Sequence, residues 1–183
     1  MKKIFLLFVA CGLLLSLFSC KDDRFYDDDI ASLKEGNYYM EYDLVSEETV
    51  ISSGSIARNQ SAYYVVMDDT HLLLTETEAY TVDTIAKTYA HYGSLDLNYR
   101  FFDALFADLK YTEEMTDVDG KSVVTCRNAV GKTVNLVYDQ QHLTGMELYL
   151  FLPDVPTSLT IQLFTESIPE NIFFTLPSDF VMK

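Results

Sequence analysis

The sequence predicts a mainly β protein of the α+β kind, in which a curved antiparallel sheet carries an amphipathic helix on its concave face. Three observations predict it. Apolar and polar residues alternate with period two along most of the chain beyond residue 36, short turns separate the alternating runs, and one central segment switches to a helical period.

The N-terminus comes first. Lys2 and Lys3 precede an uncharged apolar run from Ile4 to Phe18 that closes on Leu17-Phe18-Ser19-Cys20. The run is shorter than the roughly 20 residues that span a bilayer and is followed by Lys21-Asp22-Asp23, which is the layout of a signal peptide. The four residues ending at Cys20 resemble the lipobox of bacterial lipoproteins. That resemblance implies a leader over 1–19, cleavage before Cys20, and acylation of Cys20, where each buried methylene contributes about 0.8 kcal/mol to membrane anchoring. The expected location is the bacterial cell envelope, as an outer-membrane lipoprotein facing either the periplasm or the cell exterior; Lys21-Asp22-Asp23 resembles a surface-export signal. Residues 20–35 read as the lipidated cysteine and a flexible acidic tether, and residues 36–183 as a single β-rich domain.

Charge and cysteine usage narrow the classes. The formal net charge is −15, and loss of Lys2 and Lys3 with the leader leaves 11 basic residues against 28 acidic ones, or −17, which argues against a nucleic-acid partner. Cys11 leaves with the leader and Cys20 is acylated, so Cys126 has no partner for an internal disulfide. The domain must then hold itself together by burial, and roughly 160 mature residues suffice for one core. Cys126 sits in an alternating run, Val123-Val124-Thr125-Cys126, and reads as a small buried hydrophobe.

The alternation then places the strands. Tyr38, Met40, Tyr42 and Leu44 share one face, with Tyr39, Glu41 and Asp43 on the other. Runs from Ser61 to Met67 and from His71 to Thr77 join through Asp68-Asp69-Thr70 as a hairpin. Further strands are expected over Ala79–Asp83, Thr88–Tyr92, Lys110–Val118, Lys121–Asn128, Thr133–Tyr138, Gly145–Leu152 and Ser158–Thr165. Asp119-Gly120 is a two-residue turn signal, since both turn positions favour positive φ. In Asn98–Leu109 the residues Phe101, Phe102, Leu105, Phe106 and Leu109 fall on one helical stripe, with Arg100, Asp103 and Asp108 opposite, giving an amphipathic helix of about three turns. Asp96 or Asn98 supplies its cap.

The order of these pieces resembles the outer-membrane lipoprotein carrier and lipoprotein-sorting superfamily. The residues carrying the resemblance are Gly54-Ser55-Ile56-Ala57-Arg58 before Tyr63-Tyr64-Val65-Val66-Met67, then Ala79-Tyr80-Thr81-Val82-Asp83, and the ending Asn171-Ile172-Phe173-Phe174-Thr175-Leu176-Pro177-Ser178-Asp179-Phe180. The resemblance implies an unclosed antiparallel half-barrel whose concave apolar face, covered by helices, receives lipid or acyl chains. It also implies that Arg58 helps hold the helical cover. Candidate lining residues for a hydrophobic ligand are Tyr63, Val65, Met67, Leu72, Leu74, Phe102, Phe106, Met146, Leu148 and Leu150, the apolar members of alternating strands and of the helical stripe. Such a hollow gains about 25 cal/mol per Å² of acyl surface it removes from water.

Catalytic patterns are weak. His71, His91 and His142 are not spaced to bind a metal together from one strand or helix, Gly131-Lys132-Thr133 lacks the first glycine of a phosphate-binding loop, and Asp117-Val118-Asp119-Gly120 has too few oxygens for a calcium loop. No Gly-x-Ser-x-Gly elbow occurs. The expected function is non-catalytic and cofactor-free binding of lipid, acyl chains or another hydrophobic ligand, in lipoprotein or lipid trafficking. The alternative is a surface lipoprotein that binds a protein partner through a sheet rich in its 13 tyrosines.

Overall fold

The structure, a computed structural model, describes residues 24–46, 49–94, 105–116, 119–152 and 155–183. A short helix, α1 (Asp27–Glu35), precedes a 12-stranded sheet. Its strands are β1 (Asn37–Ser46), β2 (Thr49–Asn59), β3 (Ala62–Met67), β4 (Thr70–Leu74), β5 (Glu78–Asp83), β6 (Thr88–Ser94), β7 (Lys110–Thr116), β8 (Ser122–Arg127), β9 (Thr133–Asp139), β10 (His142–Leu152), β11 (Val155–Thr165) and β12 (Val181–Met182).

The spatial order is β12-β6-β5-β4-β3-β2-β1-β11-β10-β9-β8-β7. Two meanders, β1–β6 and β7–β11, are thus joined where β1 pairs antiparallel with β11. Among the described residues only the two-residue contact of β12 with β6 is parallel. The two outer edges, β12 and β7, do not meet, so the sheet is open. The fold is mainly β, as the alternation predicts.

Two layers of apolar packing cover the sheet. On one face, called the inner face, one cluster joins Tyr38, Met40, Tyr42, Ile56, Tyr63, Leu72 and Leu74 of the first meander to Val124, Cys126, Val134, Leu136, Tyr138, Met146 and Leu148 of the second. Tyr26, Ile30 and Leu33 from α1 and Leu105, Phe106 and Leu109 from the crossover between the meanders complete it. Leu105 and Phe106 are helical, but residues 107–109 of the expected helix are not, because the chain turns there with Asp108 at φ 51°; the expected helix before residue 105 lies outside the described residues. On the outer face Tyr39, Ala57, Tyr64, Leu73 and Val82 form a second cluster, over which lie Ile168, Ile172, Phe173, Phe174, Leu176 and Phe180 of the C-terminal segment.

Helix α1 corrects the acidic tether, because residues 27–35 are folded. Asp27, Asp28 and Asp29 occupy its first turn and Lys34 its last, the charge order that a helix dipole favours. Tyr26, Ile30 and Leu33 recur at helical spacing and bury one stripe against the sheet. Gly36 ends the helix at φ 73°, and its N–H donates to the Ser32 carbonyl at 2.8 Å. The sequence masks this helix because its nine residues offer only Ile30 and Leu33 as large apolar side chains.

Strand β2 is a second departure, since the alternation predicts no strand over Thr49–Asn59. Ile56, Ala57 and Arg58 are buried in succession: Ile56 belongs to the inner cluster, while Ala57 lies under the C-terminal segment. Cover on both faces erases the alternation by which a strand is recognised. Apart from the two-residue β12, which the alternation does not predict, the remaining strands appear near their expected places, and Gly120 takes φ 83° at the Asp119-Gly120 turn.

Candidate hydrophobic-ligand site on the inner face

Directly opposed residues of an antiparallel pair point to the same face. Register sets Ile56 against Val65, Val65 against Leu72, and Leu72 against Thr81, giving one row across β2 to β5. In the second meander Leu159, Met146, Leu136 and Val124 make a matching row from β11 to β8, linked to the first meander by the pairing of Leu44 with Leu159. The inner face is therefore a continuous apolar surface across the seam between the meanders.

Six of the ten expected lining residues, Tyr63, Leu72, Leu74, Phe106, Met146 and Leu148, lie in the single inner cluster, and Val65 packs half-buried against it. Phe102 and the side chain of Leu150 lie outside the described residues, as does Cys20; Leu150 itself is in β10. The clustered six are buried among one another, α1 and the 105–109 segment. Met67 differs. Along β3 the exposure rises from 1% at Tyr63, through half-buried Val65, to 42% at Met67, and Leu44 near the matching end of β1 is also half-buried. The inner face is thus closed at the α1 end of β3 and open at the end bearing the β3–β4 turn.

Arg58 fastens the cover at the closed end. Its side chain is buried beside Tyr63, with the guanidinium carbon 5.2 Å from the ring centroid. Nε donates to the Gln60 carbonyl at 2.8 Å, and Nη1 donates to the Leu33 carbonyl at 3.3 Å. Leu33 lies in the last turn of α1, where carbonyls have no partner inside the helix, so the charge completes the helix end while tying it to β2.

Asp29 marks the other side of α1. It lines a cavity of about 260 Å³ with His142, Leu143 and Phe164, and burial pushes its carboxyl pKa upward. The nearby Tyr138 hydroxyl and the field of His142 oppose that shift; Asp28 and Glu166 add to it. Burial pushes the Tyr138 hydroxyl upward as well. A carboxyl with a raised folded-state pKa favours folding while protonated, below its unfolded pKa, and this contribution is lost as pH rises through the folded value. Asp29→Asn is therefore expected to raise the melting temperature at pH 7, with the gain closing as pH falls through the carboxylate range. Paired thermal melts from pH 3 to pH 8 check this.

The polar chemistry elsewhere is dispersed. Cys126 is fully buried, and burial pushes its thiol up to about 11, which suits packing and not nucleophilic attack. His91 contacts the carboxylate of Glu78 on an exposed strand surface, and the His71 ring contacts the Tyr64 hydroxyl at 3.0 Å on the outer face. Among the described residues no three of His, Cys, Asp and Glu are placed to hold a metal ion. On the inner side of β4–β6 lies a feature that the sequence pattern does not announce, a cavity of about 300 Å³ lined by Asp69, Thr70, Thr81, Asp83, Thr88 and Lys183 among others. Pairing of Met67 with Thr70 and of Leu72 with Thr81 signals it only once the register is known.

No protein-family model matches the chain, and no curated protein matches it. Among solved structures the chain is similar to an uncharacterized conserved protein from Thermus thermophilus, at 11% identity and a TM-score of 0.43, covering 85% of this chain and 97% of that one.

Proposed function

We propose that the protein is a membrane-anchored lipoprotein, held through Cys20, that binds lipid, acyl chains or another hydrophobic ligand without covalent chemistry at the open end of its inner face. The observation that carries this reading is the burial gradient on β3: an apolar row that is core at Tyr63 emerges as surface at Met67. A chain laid along Leu44, Val65 and Met67 extends the existing core and gains about 25 cal/mol per Å² of apolar surface removed from water. Methionine suits such a rim because its unbranched side chain repacks around different chains. The resemblance to lipoprotein carriers supports the same use, in lipoprotein or lipid trafficking within the envelope.

The protein-binding alternative rests on a tyrosine-rich surface, and the tyrosines offer it little support. Tyr26, Tyr38, Tyr39, Tyr42, Tyr63, Tyr64 and Tyr138 are buried, while among the described residues Tyr92 and Tyr111 are the exposed ones.

Native mass spectrometry of residues 21–183, purified from a bacterial periplasm, tests the proposal. Co-purifying phospholipid or fatty acid is expected, and Met67→Asp is expected to release it while leaving the melting temperature within a few degrees, since Met67 is already 42% exposed. A ligand-free mass that stays unchanged on adding phospholipid or oleate would sink the lipid reading.

A further inference from the structure

The inner face does not stay apolar out to the β6 edge. From the α1 end it presents Leu74 and Ala79, then Leu72; beyond these it turns to hydroxyls and carboxylates. Thr81 opposes Leu72 and Ala90, and Asp83 opposes Thr88, so Thr81, Asp83, Thr88 and Ala90 lie on the Leu72 side of the sheet. Thr70 opposes Met67 on that same side. The resulting cavity of about 300 Å³ is also bordered by Asp69 and by Lys183, whose Nζ lies 3.3 Å from an Asp83 carboxylate oxygen. The Thr88 hydroxyl oxygen is buried without a hydrogen-bond partner among the described residues. Among the described residues the Thr81 hydroxyl reaches only the Ala90 carbonyl, at 3.5 Å.

We infer that this cavity is a binding site for a neutral, polyhydroxylated head, the sugar of an amphiphile whose apolar part lies along Met67 and Val65. The inference deepens the hydrophobic-ligand reading and rests on it for the apolar part. Threonine hydroxyls both donate and accept, carboxylates accept, and an ammonium donates, so Thr70, Thr81, Thr88, Asp69, Asp83 and Lys183 together match the mixed donors and acceptors of vicinal hydroxyls. Two carboxylates against one ammonium disfavour an anionic head such as a phosphate. The size is at the low end of small-molecule clefts, which suits one polar head and not a whole lipid. The Thr88 oxygen is enclosed as it stands, so a sugar hydroxyl becomes its partner once the Thr88 side chain rotates toward the cavity. The register places the change from apolar to polar lining between neighbouring residues, Met67 with Thr70 and Leu72 with Thr81, as an amphiphile requires.

The test is amide-resolved NMR titration of residues 21–183 with octyl β-glucoside below its micelle concentration, and with glucose, octanoate and octyltrimethylammonium in parallel. Octyl glucoside is expected to shift Thr70, Thr81 and Thr88 together with Val65 and Met67, and Thr81→Val/Thr88→Val to weaken it about tenfold, the loss of two hydrogen bonds. Threonine shifts with glucose alone, and none at Val65 or Met67 with any probe, support the sugar site with a free saccharide as its source and defeat the lipid reading. Shifts confined to Val65 and Met67 overturn the sugar site and leave the lipid reading standing. Octyltrimethylammonium shifting the threonines as strongly as octyl glucoside overturns the neutral-head assignment. An unchanged affinity in the double valine variant also overturns the site, because valine keeps the shape and removes only the hydroxyls.

Discussion

Phe106→Ala is expected to lower the unfolding free energy by about 3–5 kcal/mol, the range for emptying a large aromatic site in a closed core. Phe106 has no solvent exposure, its ring meets Tyr38 edge-on at 6.3 Å, and it belongs to the cluster that joins both meanders. It also pins the crossover segment to the inner face between Leu105 and Leu109. Domains of this kind have about 5–15 kcal/mol in total, so the loss is a large share of the whole. Urea unfolding followed by circular dichroism measures it. A loss under about 1.5 kcal/mol with an unchanged m-value would mean that the surrounding cluster collapses into the space, and that the ring is not what anchors the crossover.

The second large effect is expected at Gly36. A Cβ there would stand 2.4 Å from Arg58 Nε and 2.5 Å from its Cζ, and the position holds φ at 73°, where side chains are strained. Gly36→Ala is expected to cost about 2–4 kcal/mol, combining the left-handed penalty with overpacking against a buried guanidinium. Arg58 cannot simply swing away, because it donates to the Gln60 and Leu33 carbonyls. The cost should shrink in the Arg58→Ala background, since the collision goes and only the backbone penalty stays. Chemical denaturation of both single variants and the double variant closes the cycle; strictly additive losses would contradict the contact.

How far the fold is legible in the sequence follows from which faces are covered. Strands with one dry and one wet face, such as β9 with Val134, Leu136 and Tyr138 buried between more exposed neighbours, declare themselves by alternation. Ile56-Ala57-Arg58 does not, because the C-terminal segment covers the opposite face and buries consecutive residues. Local sequence cannot report a cover that arrives from a hundred residues away. Helix α1 is hidden for a related reason: three aspartates in its first turn make it resemble a solvated tether, and only packing into the inner cluster explains why Tyr26, Ile30 and Leu33 are buried. The inner-face candidates are readable as a set because period two assigns a face. Their division into core and rim, and the threonine cavity beside them, depend on which strands become neighbours.

The seam between β1 and β11 sets a timetable for folding. Each meander is a chain of local hairpins that close over short loops within microseconds, but the seam sets Tyr39 beside Thr165, Tyr42 beside Ile161 and Leu44 beside Leu159. Such pairs lie more than a hundred residues apart, and contacts of that span slow the search for the native state. During synthesis the N-terminal meander therefore completes while β1 has a bare edge, and that edge stays bare until the last long strand arrives. The wait falls on the central strand of the finished molecule, so the interval in which the nascent chain is most adhesive ends only when β11 zips the two halves together.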